Sequence, residues 1–157
     1  MPTREPERIR YWIVARDKPA LLRVMMRELA GDARISFEGD LSRCDFDPRL
    51  HPSVEERGAL ARATMLPTLD FVVLPLDAET VQPILDVVLP DRRYMDDIIH
   101  IQIERRGHLA FGCYDNFHPE CIGCSDDISP EFLDRLYRTG VIKSWTKHTV
   151  SGADHPG

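Results

Sequence analysis

No stretch of this chain approaches the ~20 consecutive apolar residues that a membrane-spanning helix needs. The apolar run at 11–15 is too short for the core of a secretory signal. The expectation is a cytoplasmic protein without a membrane. Familiar catalytic motifs are missing too: there is no Gly-x-Ser-x-Gly elbow, Gly-rich phosphate loop, dinucleotide fingerprint or His-Glu-x-x-His. A basic stripe is absent, since 26 acidic residues outnumber 20 basic ones for a formal charge of −6. Nucleic-acid binders usually carry a basic face, interleaved with aromatics where they take single strands. Here bases alternate with acids, as in Arg92-Arg93 before Asp96-Asp97. Nucleic acid is therefore not an expected partner. Cysteine is scarce, and in a reducing compartment the 4 Cys are thiols or metal ligands rather than disulfides.

What remains is an ordinary globular composition, 43% hydrophobic and 29% charged over 157 residues, enough for one domain with its own core. Residues 1–150 read as a single α+β domain with an irregular insert at 42–68. Residues 151–157 read as a frayed polar tail.

Residues 8–16 predict a strand apolar on both faces, through Ile9, Tyr11, Trp12, Ile13 and Val14. A helix follows, with Pro19 in its first turn, Leu21, Met25 and Leu29 one turn apart, and Gly31 just past its end. The methionines, Met25 and Met26, are expected to pack the core. Residues 34–41 alternate, with Ile35, Phe37 and Leu41 on one face and Ser36, Glu38 and Asp40 on the other; Gly39 marks a bulge or a close backbone approach. Ser53-Val54-Glu55-Glu56 has capping-box spacing and predicts a short helix to about residue 62. A strand at 69–76, edge-bound at Pro75, and a helix at 80–89 come next.

Strands at 98–104 and 108–115 are expected to form a hairpin. A three-residue loop, Arg105-Arg106-Gly107, would set Ile103 against Leu109, Ile101 against Phe111 and Ile99 against Cys113. A two-residue turn would set the isoleucines on the wrong face. Ser129-Pro130-Glu131 opens a last helix, Gly140 closes it, and Val141, Ile142 and Trp145 suit a short final strand. The order suggests a mixed or antiparallel sheet with helices mainly on one face: a ferredoxin-like (split βαβ) sandwich with an added hairpin and C-terminal helix.

Two clusters could carry chemistry. Cys121 and Cys124 form a C-x-x-C pair that Cys113 and His118 could complete as a zinc site. The same pair could cycle as a redox dithiol, although Asp126 and Asp127 would raise its thiol pKa rather than lower it. Alternatively the thiols pack as small hydrophobes. No cofactor is otherwise expected. The second cluster, Glu38, Asp40, Asp45 and Asp47, could hold a cation or form a solvated strand face. His100 reads as solvated or hydrogen-bonded. Cys44 with a distant His is a guess that any such composition allows.

These readings give three expectations. The first is a small regulatory or binding module acting through a protein partner. Its contact residues would come from Glu38, Asp40, Asp45, Asp47, Asp115, Glu120, Asp126 and Asp127, because loops on rigid scaffolds carry recognition. The second is a zinc protein with a structural or catalytic site at 113–124, where Glu120 could serve as base. The third is a small-molecule enzyme or sensor with a pocket beside the 42–68 insert.

Overall fold

The computed structural model describes residues 9–90 and 96–148; Arg92-Arg93 and the expected tail at 151–157 lie outside them. Strand β1 (Tyr11–Ala15) runs into helix α1 (Lys18–Leu29), and Asp17 caps it by accepting the Ala20 N–H (3.1 Å). The apolar spacing of α1 buries Leu21, Leu22, Met25, Met26 and Leu29 completely. Each contributes about 1.5–3 kcal/mol relative to an exposed side chain. The methionines are core residues, as expected.

Strand β2 (Ala33–Gly39) and strand β3 (Asp70–Leu76) follow, with the insert between them. The chain then forms helix α2 (Val81–Val88), strands β4 (Ile98–Arg105), β5 (His108–Cys113) and β6 (Ile122–Cys124), helix α3 (Pro130–Arg138) and strand β7 (Ile142–Lys147). The seven strands make one sheet in the order β3-β2-β4-β5-β6-β1-β7, with every neighbouring pair antiparallel. The α+β class holds, and the core side chains of all three helices join one cluster with one face of the sheet. Strands β3 and β4, joined through α2, flank β2 on either side. β1 lies beyond β6, with three strands between it and β2, a placement the ferredoxin-like expectation did not contain. What puts it there is β6, a three-residue strand too short to show a period, which bonds both β5 and β1.

The β4–β5 hairpin departs from its expected register. Arg105 pairs with His108, so Arg106 and Gly107 form a two-residue turn with φ of 52° and 85°, as a type I′ turn requires. That turn alone would put the isoleucines on the wrong face. A register shift between Ile103 and Glu104 restores them, setting Ile103 against Phe111 and Ile101 against Cys113. The expected helix after Ser53 does not form. Ser53 instead exchanges two backbone hydrogen bonds with Val73 (2.9 and 2.7 Å), filling the middle of the open edge of β3, while its hydroxyl accepts the Glu55 N–H (3.2 Å).

Gly39 fulfils both expectations for it: β2 shifts register there, and the chain passes so close to β4 that an added Cβ would lie 2.2 Å from the Asp97 carbonyl oxygen at a φ of +154°. Gly39→Ala should therefore destabilise the protein by about 1–3 kcal/mol, the range for overpacking, as read from urea unfolding.

Candidate functional site

The face of the sheet away from the helices is polar, yet it is buried. Ser36, Glu38, His100, Gln102 and Glu104 are all under 7% exposed, because the insert lies across them. This corrects the reading of Glu38 as part of a solvated strand face, while His100 takes the hydrogen-bonded of its two expected forms. The insert turns tightly at Gly58-Ala59, where Arg57 and Leu60 exchange both backbone hydrogen bonds, and its alternate amides across the sheet find side-chain acceptors. The Ala59 N–H donates to Glu104 Oε2 (2.7 Å), Ala61 N–H to Gln102 Oε1 (3.1 Å) and Ala63 N–H to Glu38 Oε1 (2.7 Å). The Thr64 N–H adds a bond to Glu38 Oε2 (3.2 Å). Each of these residues faces the insert because β2 and β4 place Glu38 opposite His100 and Ser36 opposite Gln102.

The rest of the layer closes on itself. His100 Nδ1 accepts the Asp115 N–H (3.2 Å), which leaves Nε2 to donate to Thr64 Oγ1 (2.7 Å). Gln102 accepts from Ser36 Oγ (3.3 Å) and donates to the Tyr114 hydroxyl (3.0 Å). The Tyr114 ring lies over Gly112, where a Cβ would come within 3.0 Å of it. Arg34 Nη1 stands 3.7 Å from Glu104 Oε1. Groups of this kind could run acid–base chemistry if open to substrate. Here their donors and acceptors are spent on holding the insert.

Among the side chains that the insert exposes are three large apolar ones. Met65 is 77% exposed, Leu66 88% and Val54 68%. Beside them, around the start of β3, lies a cleft of about 440 Å³ lined by Leu41, Cys44, Phe46, Val54, Thr68 and Phe71 among others. Phe46 stacks on the core Phe37 (6.2 Å between centroids), and Arg62 stands over the Phe71 ring (4.9 Å). A larger groove of about 560 Å³ between α1 and α2 holds none of the residues that the sequence singled out.

The expected zinc ligands do not converge. Cys124 ends β6 with its thiol in the core, whereas Cys121 lies in the bend just before β6 and is half-exposed. Cys113 is opposite Ile122 in the same core. His118 Nδ1 lies 3.9 Å from Cys121 Sγ but already accepts the Glu120 N–H (3.1 Å). Among the described residues no three His, Cys, Asp or Glu side chains gather as metal ligands. Burial first, then the Asp127 charge, pushes the Cys124 thiol up to about 12. Burial raises Cys113 further, and Cys121 is raised by burial, Asp115 and Glu120. All three are shifted towards the neutral thiol.

The expected contact residues divide. Glu38 is beneath the insert, and Asp47 caps a short 3-10 helix (Pro48–Leu50) through the Arg49 N–H (2.9 Å) while pairing with the Arg49 side chain (2.8 Å). Asp40, Asp45, Asp115 and Glu120 are exposed towards one end of the sheet; Asp126 and Asp127 sit at the other. Sequence reasoning missed a cluster at that second end. Asp127 accepts from both the Ser125 hydroxyl and the His108 ring. These are the residue types of a nucleophilic triad in the wrong order, since the carboxylate, not the imidazole, holds the hydroxyl. Burial pushes the Asp127 carboxyl up, but the bonds from Ser125 and His108 and the charge of Arg105 outweigh it and hold the group below its ordinary range.

No family model matches the chain, and neither the curated proteins nor the solved structures yield a match.

Three outcomes follow from this geometry. Glu38→Ala should strand the Ala63 and Thr64 amides at about 1–3 kcal/mol, and limited proteolysis between residues 51 and 69 should quicken. Asp127 stabilises the fold above the ordinary carboxylate range, and that contribution is lost as pH falls through its lowered folded pKa. The gap in urea midpoint between wild type and Asp127→Asn should therefore narrow as pH drops below that range. Alkylation of the native protein should label Cys121 and Cys44 and spare Cys113 and Cys124 until unfolding.

Proposed function

We propose that this protein is a small regulatory or binding module that acts through a protein partner, docking it on the Met65–Leu66 tip of the insert and the cleft beside it. One observation carries the reading: two large apolar side chains stand 77% and 88% exposed on a segment whose base is pinned by four backbone amides. Monomeric surfaces scatter apolar residues singly, and a clustered group rimmed by polar residues marks an interaction site. A pre-ordered base also lowers the ordering cost of binding. Val54, Phe46 and Phe71 give the cleft the apolar lining that suits a partner's anchoring side chain.

Other readings find less support. A zinc site at Cys113, His118, Cys121 and Cys124 would need β6 to turn over. A catalytic role for His100 and Glu38 would need the insert to leave. The likeness to ferredoxin-like sandwiches suggested by the β3–α2–β4 unit carries no function of its own, since such scaffolds host many.

The double variant Met65→Ser/Leu66→Ser should keep the thermal midpoint of the wild type, because neither side chain is packed, and should lose partner binding by at least about tenfold. Affinity capture with both proteins, read by quantitative mass spectrometry, tests this. A partner captured equally by both would defeat the reading.

A further inference from the structure

The antiparallel register places more than the apolar tip at one end of the sheet. The insert crosses from Glu104 to Glu38 and emerges at the end where β2 finishes and β3 and β4 begin. Asp40 follows β2, Asp70 starts β3, Asp96 and Asp97 precede β4, Asp115 follows β5 and Glu120 precedes β6. The topology thus gathers six carboxylates from separate parts of the sequence around the tip and its cleft. Hydrogen bonds tie the loops that carry them together: the Asp40 N–H donates to the Asp97 carbonyl (3.0 Å), and the side chain of Asn116, next to Asp115, donates through Nδ2 to the Asp96 carbonyl (3.3 Å). Their field reaches the cleft, where the charges of Asp40 and Asp97 add to burial in raising the Cys44 thiol. Arg43, beside Asp40, and Arg62, which lines the cleft over the Phe71 ring, offset part of this charge, and Lys18 is held by Asn116 Oδ1 (3.2 Å). Arg16 and Lys143 stand at the same end but beyond β6, on the β1 and β7 side.

An apolar tip and cleft ringed by carboxylates select their occupant by charge. We propose that the surface formed by Met65, Leu66 and the adjoining cleft takes a Lys- or Arg-rich protein segment that carries a large apolar side chain. The apolar side chain enters between Phe46, Val54 and Phe71, and the basic residues face Asp40, Asp70, Asp96 and Asp115. The carboxylates repel nucleic acid and anionic lipid, so the same ring that attracts such a segment turns those partners away. This inference rests on the reading of the tip as a docking surface and adds the chemistry of what docks. Rim charges act mainly on the association rate and its salt dependence, whereas buried apolar anchors act on dissociation.

The test pans a random peptide library displayed on phage against the full chain, then measures the enriched peptides at low and high salt. The wild type is compared with Met65→Ser/Leu66→Ser and with Asp40→Asn/Asp96→Asn/Asp115→Asn, each checked for an unchanged thermal midpoint. Asparagine keeps the acceptor of Asp40 and tolerates the left-handed φ of 51° at position 115. The expected result is enrichment of peptides bearing Lys or Arg with a large apolar residue. Their affinity should fall about tenfold in the charge variant and on raising salt, and vanish in the tip variant. Peptides lost with the tip variant but indifferent to salt and to the charge variant would overturn this inference and leave the docking surface standing. No enrichment, or enrichment insensitive to the tip variant, would overturn both.

Discussion

A peptide amide removed from water must find an acceptor, and in this protein that rule fixes the one segment that has no regular structure of its own. The insert crosses a sheet face without joining a strand ladder along its length. Its amides at Ala59, Ala61, Ala63 and Thr64 would be stranded there if the face were apolar. Glu104, Gln102 and Glu38 stand in line across β4 and β2 and meet the amides of alternate insert residues. The order of these acceptors along β4 and β2 decides where the insert lies, and so where Met65 and Leu66 emerge. A polar sheet face thus acts as a template, and the position of the surface tip is a consequence of buried hydrogen bonding.

The same logic separates residue types from the chemistry that they suggest. Glu38, His100, Gln102, Thr64 and Tyr114 would pass for an active centre as a list, and Ser125, His108 and Asp127 for a triad. In the first group each polar atom is committed to the insert or to a neighbour. In the second the carboxylate is the hub. The thiols are governed by burial: Cys113 and Cys124 belong to the core, whereas Cys121 lies half-exposed in the bend before β6.

Much of the frame was legible in the sequence. The periodic helices, the caps at Ser129 and the core role of Met25 and Met26 follow from local patterns, as does the bulge at Gly39. Two things were not. The parity of the hairpin depends on two irregularities that cancel, the turn at Arg106-Gly107 and the shift beyond Ile103, and alternation alone detects neither. β6 is three residues long, below the length at which a period exists, and with it went the position of β1 and the geometry of the cysteine loop. The insert was visible as an irregularity at 42–68, but its path was not, because its partners are side chains on β2 and β4 that lie far away in sequence. The carboxylates of the candidate site were individually visible, yet only the register shows that Asp40 and Asp115 share an end while Asp126 does not.

The bridge between Ser53 and Val73 gives the insert a second duty. β3 is the last strand on its side, and an uncovered outermost strand is a template onto which another chain can crystallise, copy after copy, as in a fibril. Pro75 offers no N–H towards that side, and Ser53 occupies both groups of Val73. The segment that exposes the apolar tip is therefore also the stopper on the sheet. Shortening it would uncork the edge as well as remove the tip, so the exposed tip and the protected edge depend on the same stretch of chain.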